Sequence, residues 1–309
     1  LIVTLTLNPA VDRTISVDRL VFDDRAYILS QTEVAGGRGL NASRVIHSFG
    51  GKTLAITTSG GQDAGSFHEL AKRGGFPVRF IPIANPIRVN FTISDKQGLT
   101  TKLNELGPPI SNDELKEIRK AVEAELPKAS WLMLCGSIPP KVDCRFYAEL
   151  VELAKRKGVE TLVDSDGPAL ANAIEAKPTA IAPNQLEAER LLEAALITRS
   201  QSLEAVERIH KMGAQSVILS LGGRGALAVN SEGIFEVIPP RIDALCPIGA
   251  GDALAAAFLW ARVEKKSFAD AVRWGVAAGT ASAAKPGMQF ATLKETRAMY
   301  RKVEVRQLG

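Results

Sequence analysis

From residue 1 to about residue 221, short apolar runs alternate with stretches of helical periodicity, and this alternation constrains the fold more than any other feature. Runs with strand character fall at 1–7, 52–58, 77–82, 130–135, 160–164, 178–182 and 215–221. Helical patterns lie between most of them, the first over about 40–49. Ser111 with Glu114 has the spacing of a capping box, and Asp143 is placed to cap the helix that follows. Strands joined through helices pair in parallel, and the crossover helices cover the sheet. The sequence therefore predicts an α/β fold, with a mainly parallel central sheet under helices on both faces.

Two segments break the alternation. Residues 13–35 are polar and β-like, and 87–104 read as a hairpin turning at Asp95–Gly98. Together they predict a small β-sheet that acts as a lid over a cleft, by analogy with closing elements in other enzymes; a decorative edge extension is the alternative. The expected main domain is then 1–12, 36–86 and 105–309, with the lid at 13–35 and 87–104. Beyond residue 222 the pattern predicts a hairpin, 225–229 with 234–238. Three helices follow, at about 250–264, 267–284 and 292–304, the last opened by Thr292 and Glu295.

Composition narrows the function classes. The 309 residues are 46% hydrophobic and 23% charged, which fits a folded chain rather than a disordered one. The net charge of +4 comes from scattered Lys and Arg, so a nucleic-acid surface is not expected; a mildly positive cleft for a small anion needs no more charge than this. Cys135, Cys144 and Cys246 form no CxxC pair and no even framework, which points to a reducing, cytoplasmic setting. His47, His68 and His210 lack zinc-ligand spacing. The opening apolar run reaches Asn8-Pro9 after seven residues, too short for a signal peptide or membrane span, and reads as a buried strand.

Three glycine motifs fail as nucleotide signatures. Gly50-Gly51-Lys52-Thr53 has Ile46 where a P-loop needs its first glycine. Ala42 and Leu254 stand where dinucleotide fingerprints starting at Gly37 and Gly249 need their third. The informative segment is Pro247-Ile248-Gly249-Ala250-Gly251-Asp252, followed by the small, helix-forming Ala253 to Phe258. Glycines at a helix start leave amides open to an anion, and the helix dipole favours it. Asp252 falls in the first turn; by itself it also reads as a favourable helix-start acid.

Gly249-Ala250-Gly251-Asp252 resembles the C-terminal signature of the ribokinase superfamily. Ala35-Gly36-Gly37-Arg38-Gly39-Leu40-Asn41-Ala42-Ser43 resembles its N-terminal signature. Thr6-Leu7-Asn8-Pro9-Ala10-Val11-Asp12 is similar to the phosphofructokinase-B branch that includes 1-phosphofructokinase, tagatose-6-phosphate kinase and the minor 6-phosphofructokinase. Gly136 to Pro140, Val163-Asp164-Ser165, Pro183 to Glu187 and Ser220 to Ala226 appear in that branch's order, so the resemblance spans nearly the whole chain.

The resemblance implies a ribokinase-like three-layer α/β/α domain and an ATP- and Mg²⁺-dependent kinase. In it Asp252 is the base, and the amides of Gly249, Ala250 and Gly251 hold the transferring phosphoryl group. It implies that Asp12, Gly36, Gly37, Arg38, Asn41, Arg88, Asn90 and Ser137 bind the acceptor, Arg88 and Ser137 taking its phosphate. Asn184, Ser220, Gly222, Gly225, Ala278, Gly279 and Ser282 are then on the nucleotide side, and Asn184 with Glu187 arranges Mg²⁺ through water. The residues themselves leave other readings open: Asn184 and Glu187 also fit a capped helix start, and the small residues 275–282 also fit close helix packing.

The expected acceptor is a phosphorylated ketohexose, first fructose 1-phosphate, with tagatose 6-phosphate and fructose 6-phosphate as rivals. An unphosphorylated sugar or nucleoside is a further alternative. Ala182 and Cys246-Pro247 depart from the branch's pattern and motivate another, a sugar-phosphate sensor without turnover. The lid's unpaired edges predict a homodimer through the lids; no membrane or nucleic-acid partner is expected.

Overall fold

The computed structural model describes residues 1–21, 23–62 and 64–308; Phe22, in the expected lid, and Asp63, in the expected main domain, lie outside the described residues. The central sheet grows outward from β1 (Ile2–Thr6), with β4 (Thr53–Gly60) and β8 (Trp131–Cys135) parallel to it on either side. On one flank β5 (Val78–Ile83) follows β4 in parallel. On the other, β9 (Glu160–Asp164), β10 (Ala180–Ile181) and β11 (Val217–Ser220) continue in parallel. The antiparallel β12 (Ala226–Asn230), β13 (Gly233–Ile238) and β14 (Glu304–Leu308) complete a ten-stranded sheet. The expected final helix 292–304 is therefore too long. α10 (Leu293–Tyr300) stops at Tyr300, and the chain turns back to pair as an edge strand.

Both faces of the sheet are covered, as strands with alternating inward residues require. Val3, Leu5, Leu132 and Leu134 pack into one core, under α3 (Asn112–Glu125), α4 (Phe146–Arg156), α5 (Gly167–Glu175) and α7 (Arg199–Met212). Ile2, Trp131, Met133 and Cys135 face the other, under α1 (Arg38–Ser48), α8 (Ala250–Val263) and α9 (Phe268–Ala283). On that second face Thr4 donates to the carbonyl of Gly39 and contacts the Ser43 hydroxyl, which draws α1 against β1. α2 (Ala64–Lys72) buries Phe67 and Ala71 in a small third core.

Capping boxes open α3 at Ser111 and α10 at Thr292. Asp143 does not cap α4. It lies two residues before the N-cap position, Arg145, and accepts from that residue's amide at 2.9 Å, an Asx turn that leads the chain into the helix.

The second sheet has four strands in the order β3-β2-β6-β7: β3 (Ile28–Gly36), β2 (Ala10–Val17), β6 (Arg88–Asp95) and β7 (Thr100–Asn104). The 87–104 hairpin is β6–β7, and Asp95 pins its turn by accepting from the amides of Gln97 and Leu99. Because β2 leaves directly from β1 and β3 runs directly into α1, the small sheet is tethered at the C-terminal end of the central strand. In the large sheet the strand order reverses at β1–β8. Open parallel sheets bind ligands at that reversal, outside the carboxyl ends of the strands.

Candidate active site

The loops after β1, β8, β9 and β10 meet at this reversal point, beside the N-termini of α1 and α8. Asp252 sits in the first turn of α8. One carboxylate oxygen accepts from Asn41 Nδ2 at 2.8 Å; the other accepts no hydrogen bond among the described residues and is not enclosed. Burial, reinforced by the nearby charge of Asp164, pushes its pKa up to about 7, and Arg38 offsets part of that rise. A carboxylate poised near neutrality with one free oxygen is suited to take a proton.

Gly249 precedes α8 in the left-handed region, φ 80°, which turns the loop into the helix. A Cβ there would come within 2.9 Å of the Phe290 ring. A Cβ on Gly251 would meet nothing within 4 Å, so that side of the loop is open to a ligand. The three expected amide donors are not equivalent. The Ala250 amide is occupied, donating to the Pro247 carbonyl at 3.2 Å. Among the described residues no acceptor pairs with the amides of Gly249, Gly251 or Asp252. The amides of Gly249, Gly251 and Asp252 are thus left available, while Ala250 holds the loop's shape.

Across the cleft, β2 and β6 run in parallel register with Asp12 opposite Asn90. Asn90 Nδ2 donates to Asp12 at 2.9 Å, and burial raises the Asp12 pKa against the pull of Asn90, Arg88 and Arg44. Gly36 is required here, since its Cβ would fall inside the Asp12 carboxylate. Gly37, φ 130°, would press on the Thr6 methyl. Both glycines make room for neighbouring protein side chains.

Arg88 donates to the carbonyls of Asn8 and Glu105, both at 3.0 Å. Asn8 in turn donates to Ser137 at 3.1 Å, so one residue ties Arg88 and Ser137 together. Asn8 lay outside the sequence expectations. Its signal was a buried amide where the central strand ends, just before Pro9. Four buried polar atoms here have no partner among the described residues: Asn8 Oδ1, Asn41 Oδ1, Asn90 Oδ1 and Arg88 Nε. Three acceptors and a cationic donor are the kinds of group that a polyhydroxylated, anionic ligand satisfies. Lys102 and Asn104, on β7, are exposed.

Arg38, expected on the acceptor side, is held by two acids. Its guanidinium bridges Asp164 at 2.6 Å and Glu187 at 2.7 Å. Asn184 and Glu187 form the capping box of α6 (Gln185–Leu192), each side chain bonding the other's amide. The structural reading of that pair is thus present. Glu187 also points an oxygen to Arg38, which places it at the cleft. Direct chelation is not built: among the described residues no group of three or more acids, histidines or cysteines is set to hold a metal. Asp164, Glu187 and Asp252 nevertheless share Arg38 as a common cationic neighbour. That excess of negative charge fits a divalent ion held through its waters.

On the nucleotide side, the backbone of Ser220 bridges Asn184, and Gly222 faces open space. A Cβ on Gly225 would collide with the Val237 carbonyl, so it serves the turn into β12. Ala278, Gly279 and Ser282 are all buried in packing. A Cβ on Gly279 would lie 2.8 Å from the Ala250 carbonyl, and Ser282 accepts from the Ala291 amide. For Gly279, the close contact of α8 and α9 explains the small residue.

Known proteins match this arrangement over its whole length. The Escherichia coli ATP-dependent 6-phosphofructokinase isozyme 2 is 29% identical over 302 residues, 97% of each chain. Its structure in complex with fructose-6-phosphate superimposes with a TM-score of 0.88, covering 97% of this chain and 98% of that one. The 1-phosphofructokinase of Borreliella burgdorferi is also 29% identical, over 96% of each chain. Arabidopsis thaliana ribokinase, solved with ribose and ATP, shares the fold at a TM-score of 0.78 and 21% identity, over 97% of this chain and 98% of its own. The pfkB carbohydrate kinase model matches residues 5–295. A half-buried carboxylate at a glycine-led helix start, buried polar side chains near it and a family match spanning both ends lead to one conclusion: the chain belongs to the pfkB family of carbohydrate kinases, phosphotransferases with an alcohol group as acceptor.

Proposed function

We propose that this kinase transfers the γ-phosphoryl group of ATP to a phosphorylated ketohexose, with fructose 1-phosphate as the acceptor and fructose 1,6-bisphosphate as the product. The observation that carries the reading is Arg88 Nε, a buried cationic donor without a partner among the described residues, held beside Ser137 by Asn8. An arginine fork suits phosphate, and leaving a buried cationic donor unpaired is costly.

Asp252 takes the proton from the acceptor hydroxyl as that oxygen attacks the γ-phosphorus and the bond to the β-phosphate oxygen breaks, releasing ADP. The amides of Gly249, Gly251 and Asp252 donate to the transferring phosphoryl oxygens, and each such donor contributes roughly 3 kcal/mol in comparable sites. Asn41, bonded to Asp252, keeps the base pointed at the acceptor. Glu187 and Asp164 would hold the waters of a Mg²⁺ ion, which would supply charge neutralisation to the phosphates.

Fructose 6-phosphate is the second reading. The two relatives that act on fructose phosphates by name stand at equal identity, and one is solved with fructose-6-phosphate bound. A panel of ketohexose phosphates with ATP and Mg²⁺, followed by coupled ADP release, ranks them. Arg88→Ala raises KM about 10- to 100-fold for a phosphorylated acceptor, the loss of one charged hydrogen bond. It leaves an unphosphorylated acceptor unaffected. Equal effects on both contradict the proposal.

Assembly follows from the lid. β3 and β7 are its unpaired edges, and Tyr27, Ile28, Leu29, Leu99 and Leu103 on it are each at least half exposed. Open edges with apolar side chains pair readily, so the proposed assembly is a homodimer through the lids. The Escherichia coli relative has been solved as a tetrameric inhibited form.

A further inference from the structure

Arg38 is the first residue of α1, where a positive charge opposes the helix dipole, and the first turn contains no acid to compensate it. Its compensation comes from elsewhere in the chain. Asp164 ends β9 and Glu187 opens α6; their side chains are 7% and 5% exposed, and each gives an oxygen to a different nitrogen of the one guanidinium. Both carboxylates thereby share one cation belonging to the protein.

We propose that Arg38 is the resident counter-cation of the divalent site: it occupies Asp164 and Glu187 in the free protein and prevents them from holding a metal ion until nucleotide phosphates arrive. The phosphates offer the guanidinium a better-matched planar partner than two separate carboxylates. As the fork turns to them, Asp164 and Glu187 are released to the waters of the incoming ion. Divalent ion and nucleotide therefore load together, and the acid cluster does not bind stray metal between turnovers. Arg38 is a positioning residue in this scheme, acting through the acids it releases.

The inference rests on reading this site as a metal–nucleotide kinase centre, but its test needs no turnover. Mn²⁺ is titrated into the free protein and followed by electron paramagnetic resonance, first without and then with a non-hydrolysable ATP analogue. The wild-type protein is expected to bind Mn²⁺ weakly alone and tightly with the analogue. Arg38→Met is expected to bind Mn²⁺ without nucleotide about 10- to 100-fold more tightly than wild type, the range by which groups around a ligating carboxylate change metal affinity. Adding Glu187→Gln to Arg38→Met should remove that gain. If Arg38→Met does not fold, Arg38→Lys carries the test, since a lysine pairs with one acid at a time and should give a smaller gain. Unchanged or weaker Mn²⁺ binding by the free variants, or a gain that survives Glu187→Gln, overturns the proposal. A purely structural ion-pair network would lower thermal stability and leave Mn²⁺ affinity where it was. Absence of kinase activity with every acceptor, alongside the expected Mn²⁺ behaviour, would count against the proposed reaction and not against this role of Arg38.

Discussion

Replacing Asp252 by asparagine should stabilise the fold while removing its activity, and the gain should depend on pH. The carboxyl's pKa rises from 3.8 to about 7 in the folded protein, chiefly by burial. A group with a raised folded pKa contributes stability fully below its unfolded value and loses it as pH climbs through the folded value. At about pH 8 the wild-type carboxylate is ionised in both states, and holding that charge in the site costs roughly 4 kcal/mol relative to the neutral form, at about 1.4 kcal/mol per pH unit. Asparagine keeps the shape and an oxygen for Asn41 Nδ2 but carries no charge. At about pH 5.5 the wild-type group is largely protonated when folded, and the advantage of asparagine shrinks by about 2 kcal/mol. In a chain of this size each kcal/mol moves Tm by roughly 2–4 °C. Thermal unfolding of both proteins at the two pH values measures the difference. A Tm gain that is absent at the higher pH, or the same at both, refutes the argument that Asp252 is held at an electrostatic cost.

The same displacement sets the reaction's pH dependence: kcat/KM rises as pH passes up through about 7, since only the ionised carboxylate can accept the proton. A flat profile across that range contradicts the assignment of the base. Gly36→Ala drives a methyl into the Asp12 carboxylate and displaces it from Asn90, raising KM for the acceptor about 10-fold or more, with folding reported by circular dichroism. An unchanged KM excludes Asp12 from acceptor binding. Leu103→Asp on β7 places a charge among the exposed apolar residues of the lid and shifts a dimer toward monomer in light scattering. A mass unaffected by the change locates the interface elsewhere.

Much of this architecture is legible in the sequence, because the strongest signals are local ones. Buried parallel strands require continuous apolar runs, and helices announce themselves by capping boxes, so the β1–β11 core and its flanking helices follow from pattern alone. The edge strand Glu304–Leu308 does not, because four of its five residues are exposed and little in it separates a strand from a fraying helix end. The site shows the same division. Asp252 and Asn41 lie in motifs that describe themselves. The partners of Arg38 are 126 and 149 positions away, and no local pattern encodes that the guanidinium meets Asp164 and Glu187. Asn8 is hidden likewise, since its value lies in joining Arg88 and Ser137 across the fold. For Gly279 the ambiguity was intrinsic: small residues serve helix contact and ligand approach equally, and only the position of the Ala250 carbonyl decides between them.

The central claim is that one carboxylate, aimed by Asn41 beside free helix-start amides, activates the hydroxyl that attacks ATP. Single-turnover ADP release by Asp252→Asn, with ATP, Mg²⁺ and fructose 1-phosphate at saturating levels, tests it most directly. The account predicts a rate about 10²- to 10⁴-fold below wild type with ligand binding retained, the usual contribution of a positioned base. A variant that turns over at the wild-type rate would contradict it.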